Sequence, residues 1–174
     1  IPNSVTTIDT SAFTNCVSLT SINIPSTLTT LGNFVFQGCS SLTSVVIPNV
    51  TRIGWSTFKN CSSLTSITIP NTVTLIDNNA FEGCSGLTSI TIPASVNNIT
   101  ETAFYGVGEN LSSITVAPTN TYFVSENGAL CTRGASFRRL ILYSSASLTT
   151  SFVIPSTVYT VHNGAFWKSK NLNY

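Results

Sequence analysis

Along most of the chain, apolar and polar residues alternate in short bursts that return at a fixed interval. In one burst Leu19, Ile22 and Ile24 are interleaved with Thr20, Ser21 and Asn23. From Ile22 the period is two, with β-branched residues, which predicts a short strand with one buried face. Pro25 follows; lacking an N–H, it belongs at the end of a strand. Leu28 and Leu31 come next at a spacing of three, then Val35 and Phe36. That pair becomes Ala12-Phe13, Thr57-Phe58, Ala80-Phe81, Ala103-Phe104 and Ala165-Phe166 elsewhere. The Phe is the largest fixed apolar residue and is expected to fill the width of a coil. Each ladder cysteine is preceded by Asn15, Gly38, Asn60 or Gly83, residues that tolerate positive φ. A short helical or 3₁₀ turn through Ala-Phe, stopped by a left-handed residue, is expected there; a Schellman-like end to a longer helix is the alternative.

The anchors recur at Pro2, Pro25, Pro48, Pro70 and Pro93, and at Cys16, Cys39, Cys61 and Cys84, in steps of 22 or 23 residues. Such a period means a solenoid. One coil cannot bury enough apolar surface to offset its ordering entropy, so coils must stack. Three segments are expected within a single solenoid domain: regular repeats over 1–118, a variant repeat over 119–151, and a resumed, truncated repeat over 152–174. The third coil has lost one residue after Pro48 and carries Trp55, and Val107 replaces the cysteine of the fifth. In the variant segment, Asn127-Gly128 signals a turn. Ala129–Thr132 and Arg138–Tyr143 read as a β-hairpin around Arg133-Gly134-Ala135-Ser136. The last strand should begin at Leu172-Asn173-Tyr174. No Met occurs, so the chain is expected to be a processed or excised piece of something longer. Neither end has a polar capping repeat, so the ends are expected to be cut or to stack on something.

The consensus Cys-x-x-Leu-x-x-Ile-x-Ile-Pro-x-x-Val-x-x-Ile-x-x-x-Ala-Phe-x-x-Cys resembles the BspA-type (Treponema pallidum-type) leucine-rich repeat. The resemblance implies a leucine-rich-repeat solenoid with a parallel β-sheet on one face. Short helical or 3₁₀ turns and loops are expected on the other face, and the β-hairpin as a variant repeat of a kind found in such arrays. It also implies a setting on the surfaces of bacteria and of mucosal protists such as Trichomonas and Entamoeba, with roles in adhesion and host-protein binding. The motif contains no catalytic residue.

Composition sharpens this picture. Apolar residues make up 42% of the chain, enough for a core, while only 7% are charged; Ser, Thr and Asn carry solubility instead. A net charge of +1 gives no electrostatic footprint for nucleic acid. No apolar run reaches the roughly 18 residues needed to cross a bilayer. The four repeated cysteines point the same way, so they are expected to be buried thiols rather than disulfides; Cys131 stands alone. Their spacing does not suit zinc. His162 is the sole histidine, and Asp9 and Asp77 share the slot of Gly32 and Gly54, as turn-formers would. No cofactor, metal or enzyme activity is expected.

The expected binding face is the outward row of the sheet: Ser44, Val46, Ser66, Thr68, Ser89, Thr91, Ser113 and Thr115, continued by Ser21 and Asn23. Solubility and cross-strand pairing explain the same row without a ligand. Arg133, Arg138 and Arg139, with Lys168 and Lys170 a turn later, form a candidate basic contact or a solvated face. Sequons at Asn49, Asn98 and Asn110 are candidate N-glycosylation sites; a fourth, Asn60, abuts a buried cysteine and is expected to stay unmodified. The expected function is that of a cell-surface or secreted interaction module. It would mediate adhesion by binding a protein or glycan on a host or neighbouring cell, or, alternatively, assemble end to end into fibres.

Overall fold

A computed structural model describes residues 1–134, 137–144, 151–169 and 172. In chain order its strands are β1 (Thr7–Ile8), β2 (Ser21–Ile22), β3 (Thr30–Leu31), β4 (Ser44–Val45), β5 (Arg52–Ile53), β6 (Leu75–Ile76) and β7 (Ser89–Ile92). They continue with β8 (Asn98–Ile99), β9 (Ser113–Val116), β10 (Phe123–Glu126), β11 (Ala129–Thr132), β12 (Arg138–Tyr143) and β13 (Val158–Val161). The chain winds as a parallel β-solenoid.

The strand read from Ser21 and its successors forms an interrupted ladder, paired as two separate two-stranded sheets with one bridge beside them. β2 pairs in parallel with β4 through Ser21↔Ser44 and Ile22↔Val45. A bridge joins Val46 to Thr68, and β7 pairs with β9 from Ser89↔Ser113 to Ile92↔Val116. Equivalent residues of successive coils therefore stand in register.

The opposite side differs from expectation. Among the described residues there is no helix; a second parallel ladder runs there instead, through β1–β3 and β5–β6–β8. Its strands span two residues each, too short to show a period in sequence. Their hydrogen bonds exist only between coils.

The Ala-Phe segment is also not a 3₁₀ helix. The Cys39, Cys61 and Cys84 N–H groups do close i→i−3 turns onto Phe36, Phe58 and Phe81. The alternate N–H groups cross to the next coil: Phe36 to Thr57 O, Phe58 to Ala80 O and Phe81 to Ala103 O, each at 2.8 Å. A helix would direct all of them inward. The first four turns each hold two left-handed residues four apart, Ser11 and Asn15, Phe34 and Gly38, Ser56 and Asn60, Asn79 and Gly83, whereas the fifth holds only Gly106. The sequence marks the second of each pair and conceals the first. Asn and Gly alternate at the second position for a packing reason. The Asn15 side chain lies where a Cβ on Gly38 would stand, and Asn60 does the same over Gly83.

The core is a spine of like residues. Phe13, Phe36, Phe58, Phe81 and Phe104 stack with ring centroids 5.4–5.6 Å apart and planes within 4–12° of parallel. The cysteine column lies beside it. The Sγ–H of Cys39, Cys61 and Cys84 donates to the carbonyls of Phe13, Phe36 and Phe58 at 3.0–3.1 Å. All five cysteines are free; Cys39, Cys61 and Cys84 are buried as expected, whereas Cys16 in the first coil is exposed. Burial pushes the Cys61 thiol up to about 12 and raises Cys39 and Cys84 too, so these thiols stay protonated at neutral pH. The residue missing after Pro48 is absorbed at one corner. There Val50 N–H bonds Pro48 O, whereas Leu28, Val73 and Val96 bond the prolines three back. Val50 stays buried with its column.

After Pro118 the chain leaves the coil at Asn120, whose buried side chain makes four backbone hydrogen bonds. Its amide nitrogen donates to Pro93 O (2.8 Å) and Val96 O (2.9 Å), and its Oδ1 accepts from the Tyr122 and Phe123 N–H groups (2.8 Å each). The predicted hairpin of β11 and β12 is present, with a register shift between Leu130 and Cys131. It has an additional strand, β10, joined to β11 by the left-handed pair Asn127-Gly128. Ala135 and Ser136 of the predicted loop lie outside the described residues. β12 then pairs in parallel with β13, which returns the chain to the solenoid. Tyr143 takes the Phe position of this coil. Its N–H bonds Ala165 O at 2.8 Å and its ring lies 5.3 Å from Phe166.

Candidate interaction surface

The ladder built by β2, β4, β7 and β9 presents one residue in two to the core and the next to solvent. Ile22, Val45, Ile67, Ile90 and Ile114 face inward. Ser44, Val46, Ser66, Thr68, Ser89, Thr91, Ser113 and Thr115 are all exposed, as are Ser21 and Asn23. The Thr91 and Thr115 hydroxyls are 2.8 Å apart. The register makes this a band two files wide, Ser21, Ser44, Ser66, Ser89 and Ser113 in one and Asn23, Val46, Thr68, Thr91 and Thr115 in the other, with hydroxyls at every position but Asn23 and Val46.

A further hydroxyl column borders it, one that sequence reading missed. Thr43, Thr65, Thr88 and Ser112 each donate a side-chain bond to the carbonyl of Thr20, Thr43, Thr65 and Thr88, respectively. These hydroxyl protons are committed within the stack. Their signal in sequence is a Thr at one fixed repeat position, which β propensity alone would also explain.

The basic group does not form one open patch. Arg138 is buried, with its Nη2 2.9 Å from Glu126 and its Nε on Thr132 O. It therefore braces the hairpin from inside instead of facing a partner. Arg133 and Arg139 are exposed, though Arg133 Nε also bonds Phe123 O. Lys168 pairs with Glu109 at 2.8 Å, and Lys170 lies outside the described residues.

Asn49, Asn98 and Asn110 are exposed; the Asn110 amide nitrogen donates to Ser85 O at 2.9 Å. Asn60 is exposed as well, with its side chain laid across Gly83.

Asp77 is a turn-former: its Oδ1 accepts the Asn78 N–H at 2.8 Å, and Arg52 Nη1 is 3.9 Å from its Oδ2.

His162 occupies the slot equivalent to Asp77, with its N–H on Leu140 O. It is buried, and neither ring nitrogen has a hydrogen-bond partner among the described residues. Burial, and then the nearby Arg139 charge, lower its pKa, while Glu101 opposes. Below the ordinary His value of about 6.5 the unfolded chain binds a proton that the fold refuses. Stability therefore falls as pH drops from there toward the lowered native value. Thermal melts of wild type and His162→Phe should diverge in that window, the variant losing less between pH 7.5 and pH 5. Parallel pH curves would show that His162 is protonated freely.

With the geometry in place, comparisons with known proteins fix the class. Residues 1–112 match the BspA type leucine rich repeat region in six copies. The chain belongs to this family. Among solved structures it resembles a leucine rich cell surface protein from Faecalibacterium prausnitzii (31% identity, TM-score 0.70, 91% of this chain and 48% of that one). It also resembles a leucine-rich repeat protein from Eubacterium ventriosum (30% identity, TM-score 0.71, 89% and 46%). The leucine rich repeat protein of T. pallidum is similar at 25% identity and TM-score 0.58, over 64% and 66% of the two chains. The chain thus spans about half the length of the first two. A search of curated proteins finds no match. Among the described residues no helix is long and apolar enough to cross a membrane.

Proposed function

We propose that this chain is a non-enzymatic interaction module of a cell-surface or secreted protein, mediating adhesion to a host or neighbouring cell. Its family and the cell-surface description of its Faecalibacterium relative support the setting. The observation that carries the reading is the register of the sheet face. Serines and threonines from successive coils stand side by side, exposed and uncharged, on parallel-paired strands. Such a face can meet a protein or glycan over several coils without reorganising, so binding loses little conformational entropy. Arg133 and Arg139 would add a salt-sensitive contact at one end.

The test is a double substitution, Ser66→Lys with Thr91→Lys, which places two like charges mid-face without touching the core. Attachment to epithelial cells or to an immobilised extracellular-matrix preparation should fall by about tenfold or more, an effect of about 1.4 kcal/mol. Unchanged attachment by a folded variant would remove this face from the reading. The structural alternative, end-to-end assembly, leaves the face free. Sedimentation of the same proteins over a concentration series tells the two apart, since only assembly shifts with concentration.

A further inference from the structure

The turn side of the solenoid keeps polar residues at two neighbouring columns. One runs Thr10, Asn33, Trp55, Asn78 and Glu101; the other runs Ser11, Phe34, Ser56, Asn79 and Thr102. Cross-coil bonds establish the equivalence: Ser11 N–H to Asn33 O, Phe34 N–H to Trp55 O and Ser56 N–H to Asn78 O, at 2.8–3.0 Å. Each column departs from polarity once, and the two departures, Phe34 and Trp55, line one cavity from adjacent coils.

Neither is accounted for by folding. Trp55 is 50% exposed. Phe34 holds a left-handed backbone (φ 58°) where other coils use Ser or Asn, and a bulky aromatic is disfavoured there. Strain of this sort concentrates where side chains are held for binding. The two rings and Ser56, Asn78 and Asn79 line a shallow cavity of about 250 Å³. That is below the range of about 300–1,000 Å³ typical of sites for drug-sized ligands. The walls are braced. Asn33 Oδ1 accepts from the Trp55 backbone N–H (3.1 Å) and from Arg52 Nη2 (2.8 Å), and a Cβ on Gly54 would collide with it.

We propose that this cavity binds one neutral sugar ring. An exposed indole face is suited to the C–H face of a pyranose. The Asn79 amide is partly exposed and makes no hydrogen bond to other described residues, so it is open to a ring hydroxyl; the Ser56 hydroxyl is likewise unbonded among them, but Ser56 is only 6% exposed. The lining carries no charge, and Arg52 and Asp77, in the same coils, pair with each other at 3.9 Å. That excludes an ionic ligand as the best fit. A protein partner would need a larger continuous patch. The proposal rests on the surface-module reading and gives its glycan arm a location away from the sheet face.

The experiment uses the chain carrying Trp167→Phe, which leaves Trp55 as the only indole. Its emission is titrated with methyl α-mannoside, methyl β-galactoside, N-acetylglucosamine and their di- and trisaccharides. A saturable shift with at least one of them is expected, insensitive to salt. Saturation-transfer NMR should show affinity for that sugar reduced about tenfold in Trp55→Ala. Phe34→Ser, which restores a residue type used at this site in other coils, should weaken binding while keeping or raising the melting temperature. No saturable response to any of these sugars overturns the proposal, as does unaltered affinity in folded Trp55→Ala. Loss of cell attachment in Trp55→Ala without sugar binding would assign the cavity to a protein partner, also overturning it. If the sugars fail yet the sheet-face lysine variant still loses attachment, only the sugar site falls. If neither surface matters to attachment, the module reading falls with it.

Discussion

Phe58→Ala is expected to destabilise the solenoid by about 3–5 kcal/mol, the range for deleting a fully buried Phe. The ring is wholly buried, stacked 5.5 Å from Phe36 on one side and 5.6 Å from Phe81 on the other. Neither neighbour can move in to fill the space. Their backbones are tied coil to coil, Phe36 N–H to Thr57 O and Phe81 N–H to Ala103 O. The cavity therefore persists, and the lost dispersion contacts are not recovered. Because each coil is stabilised chiefly by its neighbours, a defect in the middle also weakens cooperation between the two halves. Urea denaturation followed by far-UV circular dichroism should show a lower midpoint and a broader transition. The control is Phe137→Ala, whose ring is 75% exposed; it should stay within about 0.5 kcal/mol of wild type. A loss below about 1 kcal/mol for Phe58→Ala would mean that the spine is not what holds the coils together.

Asn120→Ala should have the second-largest effect, and a local one. One side chain satisfies the carbonyls of Pro93 and Val96 and the amides of Tyr122 and Phe123. Alanine removes that partner from all four, although Pro93 O still accepts the Val96 N–H at 3.3 Å. Each buried polar group left unsatisfied costs about 1–3 kcal/mol. Water entry relieves part of this, so about 2–4 kcal/mol is expected in sum. The damage should fall on the exit from the regular coils into β10. Hydrogen exchange read by mass spectrometry should lose protection over residues 119–143 while residues 30–92 keep theirs. Asn120→Asp retains the acceptor and loses both donors, placing a carboxylate against two carbonyls, so it should be no better than alanine. Uniform loss along the chain, or none, would show that Asn120 is not the fastening point.

How far the sequence reveals this molecule depends on the distance over which each feature is specified. The inward rows, the Phe column and the left-handed Asn or Gly before each cysteine are written into every repeat, and they emerge from spacing alone. The second ladder is not, because two residues such as Thr30–Leu31 make no period and pair only with another coil. Phe34 escapes for the opposite reason: its residue type argues against the left-handed backbone that the stack imposes on it. Arg138 illustrates a third limit. Its charge suggests an exposed contact, but Glu126 and the Thr132 carbonyl, supplied by neighbouring strands, let it be buried. The outward row of hydroxyls is legible as a surface. Its pairing with a partner is not, since Ser and Thr serve solubility equally well. The cavity that Phe34 and Trp55 line together appears only after the coils are stacked.

The corner at Pro48 sets a rule for how such a chain can vary. One residue fewer there is taken up by a tighter bend, and Val50 returns to its column with the aromatic register intact. Units of unequal length can therefore be exchanged or duplicated across this corner without scrambling the later coils. The same single-residue change between Phe58 and Cys61 would rotate every later side chain out of phase. Length variation among descendants of this gene should collect at the first place and be purged from the second.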